Sequence, residues 1–142
     1  MLIGIDPILN PEILHALRAM GHGDEIVIAD GSFPAETVAR RLVRMEASDM
    51  PRMLRAVLSV LPIDESEPDP VLGMEVIGEP DTIMPAHQEI DAILGEVTGG
   101  AVRLKRIERY AFYERAKQAF AVIATGERLF YGNVIIRKGT VA

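Results

Sequence analysis

Gly21-His22-Gly23-Asp24-Glu25-Ile26-Val27-Ile28-Ala29-Asp30-Gly31-Ser32-Phe33-Pro34 decides the architecture: a polar turn, a β-branched run and a second polar turn in fourteen residues. Ile26, Val27 and Ile28 suit a buried strand, because branched side chains pack well on a pleated surface. Asp30 to Pro34 carries the turn-forming residues that break it. Upstream, Asn10 can cap a helix whose first position is Pro11, where the missing N–H costs nothing. Ile13, Leu14, Leu17 and Met20 keep helical spacing, and Gly21 is expected to close the helix in the left-handed conformation. His22 then falls in the turn between a helix and a buried strand. If that strand is extended, His22 and Asp30 stand about 25 Å apart.

The rest of the chain repeats this alternation. Arg40 to Met45 fits either a strand or a helix end. Ser48-Asp49 caps a second helix running to about Val60, with Met53, Leu54, Val57, Leu58 and Leu61 on one face, and Pro62 stops it. Asp64 to Pro70 is an acidic loop with two prolines. Val71–Ile77 reads as a strand, Pro85 to about Val97 as a helix, Val102–Ile107 as a strand and Phe112–Gln118 as a short helix. Phe120–Ala124 and Val134–Ile136 are further strands, separated by a turn at Thr125-Gly126-Glu127. Helices alternating with strands predict an α/β domain layered around a central sheet.

Length and composition set bounds on function. The 142 residues, 49% of them apolar, fit one domain over residues 1–142 with a single core. The net charge of −6 disfavours nucleic acid and anionic membrane surfaces as partners. Cysteine is absent, which removes disulfides, thiolate nucleophiles and cysteine-based metal sites. No basic region precedes an apolar leader, and no apolar run approaches a membrane span, so a soluble, cytoplasmic chain is expected.

Among the three histidines, only His22 sits in a glycine-flanked turn where a ligand can approach closely. From the residues alone it is either a structural turn residue or a functional group. His15, in an amphipathic helix, and His87, near a proline-started helix, read as surface or packing residues. Their spacing does not converge on a metal, and none is expected. The run from Arg103 to Arg115 mixes cations with Tyr110, Phe112 and Tyr113. Such a stripe can bind single strands, but Glu108 and Glu114 interrupt it and local ion pairing explains it as well. A sugar site is a third reading, with aromatic faces over C–H groups and Arg on hydroxyls. Tyr131-Gly132-Asn133 is a turn in which glycine is expected to supply the unusual backbone angle. No phosphate loop, dinucleotide fingerprint or nucleophile elbow is present.

Five segments in order carry a resemblance: Gly21-His22-Gly23-Asp24-Glu25, Asp30 with Phe33-Pro34, Arg109-Tyr110-Ala111-Phe112-Tyr113-Glu114-Arg115-Ala116, Thr125-Gly126-Glu127-Arg128 and Tyr131-Gly132-Asn133. Together they resemble the L-fucose mutarotase and D-ribose pyranase (RbsD/FucU) family, closer to the fucose branch, over nearly the whole chain. The resemblance implies a three-layer α/β/α domain with a central mixed sheet. It also implies a ring-shaped homo-oligomer, commonly a decamer, with monosaccharide sites at subunit boundaries and no cofactor.

The implied activity is that of an isomerase interconverting the α and β anomers of L-fucose or a related sugar by acid–base ring opening. A ribose-type pyranase and a non-catalytic sugar-binding oligomer are the alternatives. By the same resemblance His22 is catalytic, and Asp30, Arg109, Tyr131 and Asn133 contact substrate. Tyr113 is added from its place in the matched string. Gly31-Ser32 after the aspartate and Leu129-Phe130 before Tyr131 depart from the family pattern and bear on sugar preference.

Overall fold

The computed structural model describes residues 1–142. In chain order the elements are α1 (Pro11–Ala19), β1 (Glu25–Ala29), α2 (Ala35–Val38), β2 (Leu42–Met45), α3 (Met50–Leu58), β3 (Val71–Met74), α4 (Pro85–Thr98), β4 (Lys105–Ile107), α5 (Arg109–Gln118), β5 (Ala121–Thr125) and β6 (Val134–Arg137). The strands form one six-stranded sheet in the order β2-β5-β1-β6-β3-β4. β6 runs antiparallel to both neighbours, β1 and β3, while the other pairings are parallel, so the sheet is mixed.

β1, β5 and β6 occupy the interior of the sheet and are covered on both faces, which is why they read as continuous apolar runs. Alternate residues serve two cores. Ile26 and Ile28 join Ala121, Ile123, Val134 and Ile136 under α1, α3 and α4. Val27 and Ala29 join Val122, Ala124 and Ile135 under α2 and α5, with Phe112 at the centre. The result is three layers, α/β/α.

Several local expectations shift for identifiable reasons. Asn10 caps α1 by accepting the Ile13 N–H, but the helix closes at Met20, whose N–H bonds to the Ala16 carbonyl. The left-handed residue is Gly23 (φ 88°), not Gly21, so the chain turns after His22 rather than before it. α5 begins three residues earlier than its apolar spacing suggests, because the Glu108 carboxylate accepts the N–H groups of Tyr110 and Ala111. Arg40–Met45 resolves into the edge strand β2, and the single-turn α2 was not foreseen. No helix is long and apolar enough to cross a membrane.

The topology gathers particular segments at each end of the sheet. The ends of β1, β3 and β4 and the start of β6 meet at one edge, bringing Asp30, Ile77, Arg109 and Asn133 to the same side. The opposite edge holds the turn before β1, the residue after β6 and the segment before β3, where Ile63 bridges to Lys138.

Candidate active site

Asp30, Arg109, Tyr113, Tyr131 and Asn133 line one depression of about 280 Å³ at the carboxyl end of β1, with Phe33, Met74, Ile77 and Phe130 as its apolar wall. Crevices at the carboxyl ends of parallel strands are where open α/β sheets bind ligands. The Asp30 side chain is buried. Its Oδ1 accepts the Ser32 N–H at 2.9 Å, and its Oδ2 accepts from Asn133 Nδ2 at 3.1 Å. Burial pushes the Asp30 carboxyl above its ordinary value, only partly offset by hydrogen bonds from Ser32, Phe33, Asn133 and Gly132. It therefore keeps a proton to higher pH than a solvated aspartate.

Arg109 opens α5, and its Nε donates to the Tyr113 hydroxyl at 3.1 Å, so the two residues one helical turn apart present guanidinium and phenol together. Phe33 supports Tyr113 from below, ring centroids 5.6 Å apart and edge-on. The Tyr131 hydroxyl accepts the Ile77 N–H at 3.3 Å. Tyr131 itself takes the left-handed conformation (φ 63°), which costs a non-glycine residue energy and persists only where the surroundings enforce it. Gly132 is needed for space rather than for its angle. A Cβ there would lie 2.9 Å from Glu127 Cγ and 3.2 Å from the Leu129 carbonyl oxygen.

Two residues outside the expected set hold this loop. Glu127 is buried, with Oε1 accepting the N–H groups of Arg128 and Leu129 and Oε2 accepting that of Met50 at the start of α3. His87 is buried against Tyr131, ring centroids 6.1 Å apart. Its Nδ1 accepts the Met84 N–H and its Nε2–H donates to the Met74 carbonyl, tying α4 to the end of β3. Burial pushes the His87 pKa down, so the ring is held neutral.

His22 is not in this depression. It stands at the other end of β1 and lines a separate cavity of about 660 Å³ with Asp64, Ser66, Thr98 and Thr140. Its Nε2 lies 3.2 Å from Asp64 Oδ2, which also accepts Arg137 Nε at 3.0 Å. The Ser66 hydroxyl and the Arg137 guanidinium hold the Asp64 carboxyl at about 2 against the opposing effect of desolvation. Asp64 is a site residue that the sequence does not single out, since it lies in the acidic loop Asp64–Pro70 before β3. Its signal was the Asp64-Glu65-Ser66 spacing, in which Oδ1 accepts both the Ser66 N–H and its hydroxyl. The chain thus brings together five of the six expected site residues and keeps the sixth at the opposite edge of the sheet.

Residues 3–141 match the model of the RbsD / FucU transport protein family. The fucose mutarotase of Homo sapiens is 45% identical over 148 residues, covering 99% of this chain and 95% of the human protein. The structure of FucU from Bifidobacterium longum superposes with a TM-score of 0.91 at 40% identity, covering 98% of this chain and 99% of that one. The fucose mutarotase of Streptococcus pneumoniae, solved in complex with L-fucose, gives a TM-score of 0.86 at 33% identity, covering 99% and 100%. By sequence over its full length and by fold, this chain belongs to the RbsD/FucU family.

Proposed function

We propose that the chain is an isomerase that interconverts the α and β anomers of L-fucose or a related monosaccharide, at sites formed between copies of the chain. The observation that carries this reading is the convergence of Asp30, Arg109, Tyr113, Tyr131 and Asn133 in one depression beneath an apolar wall. Carboxylate, guanidinium, phenol and amide suit a polyol, and the wall suits C–H and methyl groups. The likeness to fucose mutarotases supports the choice of sugar.

The reaction moves protons only. A base removes the proton from the anomeric O1 while an acid protonates the ring oxygen; the bond from C1 to the ring oxygen breaks, giving the open-chain aldehyde. Rotation presents the other carbonyl face, and closure returns both protons. Histidine suits the first role, because an unperturbed imidazole exchanges protons near neutral pH. Asp30, whose burial pushes its carboxyl above the ordinary value, is the acidic group of the depression that we assign to the ring oxygen. Arg109 forks onto adjacent hydroxyls, and Tyr131 with Asn133 sets orientation.

Because His22 lies across the sheet from the other five, a complete site draws His22 from one copy and the depression from another. A closed homo-oligomer, such as the family's decameric ring, provides that seam. A cytoplasmic location accords with the lack of cysteine. Exchange spectroscopy with L-fucose, D-ribose and other reducing sugars tests the function. Accelerated α/β exchange of L-fucose, lost in His22→Ala with the fold intact, is expected. Wild-type protein that accelerates no anomer exchange rejects the reading, and pyranose–furanose exchange of ribose alone replaces it with a pyranase.

A further inference from the structure

The His22 imidazole is exposed, its side chain 54% accessible, yet the carboxylate against its Nε2 is 3% accessible. A buried carboxylate is costly unless every lone-pair direction is used. Asp64 meets that condition. Ser66 satisfies Oδ1 through its hydroxyl at 2.5 Å and its N–H at 3.3 Å. On Oδ2, Arg137 Nε and His22 Nε2 arrive together at 3.0 and 3.2 Å. The backbone fixes the group as well, since the Asp64 N–H donates to the Arg137 carbonyl at 3.0 Å. An arginine alone would neutralise this charge, so the imidazole is an additional partner on the same oxygen.

The charged groups around His22 point the same way. Asp24 Oδ2 is spent on the Gly21 N–H, and Lys138 Nζ on the carbonyls of Leu17 and Met20 at the end of α1. Glu65 lies on the cavity wall, and Arg137 is engaged with Asp64. Asp64 is the ionised group that contacts the ring. An ionised carboxylate only accepts, so the nitrogen facing it must carry hydrogen. A neutral imidazole bonded this way has its lone pair on the other nitrogen.

We propose that Asp64 is the positioning residue of His22: it fixes the ring as the Nε2–H tautomer and makes Nδ1 the nitrogen that exchanges the anomeric proton. This rests on the reading of His22 as the proton-exchanging group. In the forward step the O1–H bond breaks, its proton goes to the Nδ1 lone pair, and the imidazolium formed is stabilised by the adjacent carboxylate. On ring closure the proton returns from Nδ1 to O1, leaving the dyad as it began.

Two-bond ¹H–¹⁵N spectra of the ¹⁵N-histidine-labelled protein read the tautomer directly, alongside exchange kinetics of wild type, Asp64→Asn and His22→Ala on L-fucose. Wild-type His22 is expected as the Nε2–H form. Asp64→Asn is expected to mix the tautomers and lower kcat at least about 10-fold, since a carboxylate that holds a catalytic imidazole in its tautomer is worth up to about 10⁴ in kcat, with KM little changed. A neutral wild-type His22 with its hydrogen on Nδ1 and a bare Nε2 overturns the proposal whether or not the variant folds. So does a folded Asp64→Asn variant with wild-type tautomer and wild-type kcat. His22→Ala with full exchange removes the underlying reading instead, so the two failures are distinguishable.

Discussion

Asn133 grips Asp30 with both ends of its amide: Oδ1 accepts the Asp30 N–H at 2.8 Å, and Nδ2 donates to Asp30 Oδ2 at 3.1 Å. The pair joins residues 103 apart in sequence and ties the end of β1 to the start of β6. Replacing Asn133 with Ala leaves a buried N–H without its acceptor, a loss of about 1–3 kcal/mol. Urea unfolding of Asn133→Ala is expected to show a midpoint lowered accordingly, together with weaker sugar binding. An unchanged midpoint would mean that water replaces the amide without loss.

Two buried carboxylates, Asp30 at the end of β1 and Asp64 beside the turn that precedes it, give opposite pH dependence. Asp64 titrates at about 2 in the folded chain against an ordinary 3.8, so its stabilisation is complete above the unfolded value and disappears as pH falls through the folded one. Asp30 is shifted upward, so its contribution is present below 3.8 and is lost as pH rises through its folded value. Acid unfolding followed by circular dichroism should therefore be less steep in Asp64→Asn than in wild type as pH drops from 3.8 to 2. An identical acid limb would contradict the depressed value.

Glycines at two places should answer to alanine in opposite senses. At Gly95, inside α4, a Cβ meets nothing within 4 Å, so Gly95→Ala is expected to stabilise by about 0.5–1 kcal/mol. At Gly132 the Cβ would strike Glu127 Cγ, which cannot retreat because its carboxylate is pinned by three N–H groups. Gly132→Ala should cost about 1–3 kcal/mol and shift Tyr131 and Asn133 out of position. Thermal melts moving in the same direction would refute the contrast.

Phe112 carries the α5 face of the smaller core, fully buried and edge-on to Phe33 at 5.9 Å. Phe112→Ala is expected to lose about 3–5 kcal/mol, the range for deleting a buried ring. Because Arg109 and Tyr113 share its helix, sugar affinity should fall with stability. Calorimetry that finds a stable variant would show that α5 is held elsewhere.

What was legible in the sequence was what local chemistry decides. The β-branched run at Ile26–Ile28, the Asn10 and Asp49 caps and the prolines at Pro11, Pro62 and Pro85 placed β1, α1, α3 and α4 closely. The single turn of α2 carries no side-chain cap and too few residues for a period; packing of Ala35 and Val38 against the α5 side makes it. The turn angles were assigned to the wrong residues at Gly21 and Gly132, since composition marks a turn but not which residue takes φ > 0. Asp64 was missed because its partners, His22 and Arg137, lie 42 and 73 residues away. The separation of His22 from Asp30 along one strand, in contrast, followed from five residues of extended chain.

That separation makes the shared site the central claim, and complementation tests it. His22→Ala and Arg109→Ala are each expected to disable every site, one from either side of the proposed seam. Co-refolded in equal amounts, they are expected to form mixed oligomers in which some sites join an intact His22 to an intact Arg109. The measurement is L-fucose anomer exchange by NMR saturation transfer for each variant alone and for the mixture. Recovery to roughly a quarter of wild-type exchange, the random-mixing share of sites built from two copies, is predicted. A mixture no more active than its inactive parents, with oligomers shown to be mixed, would contradict a site divided between copies.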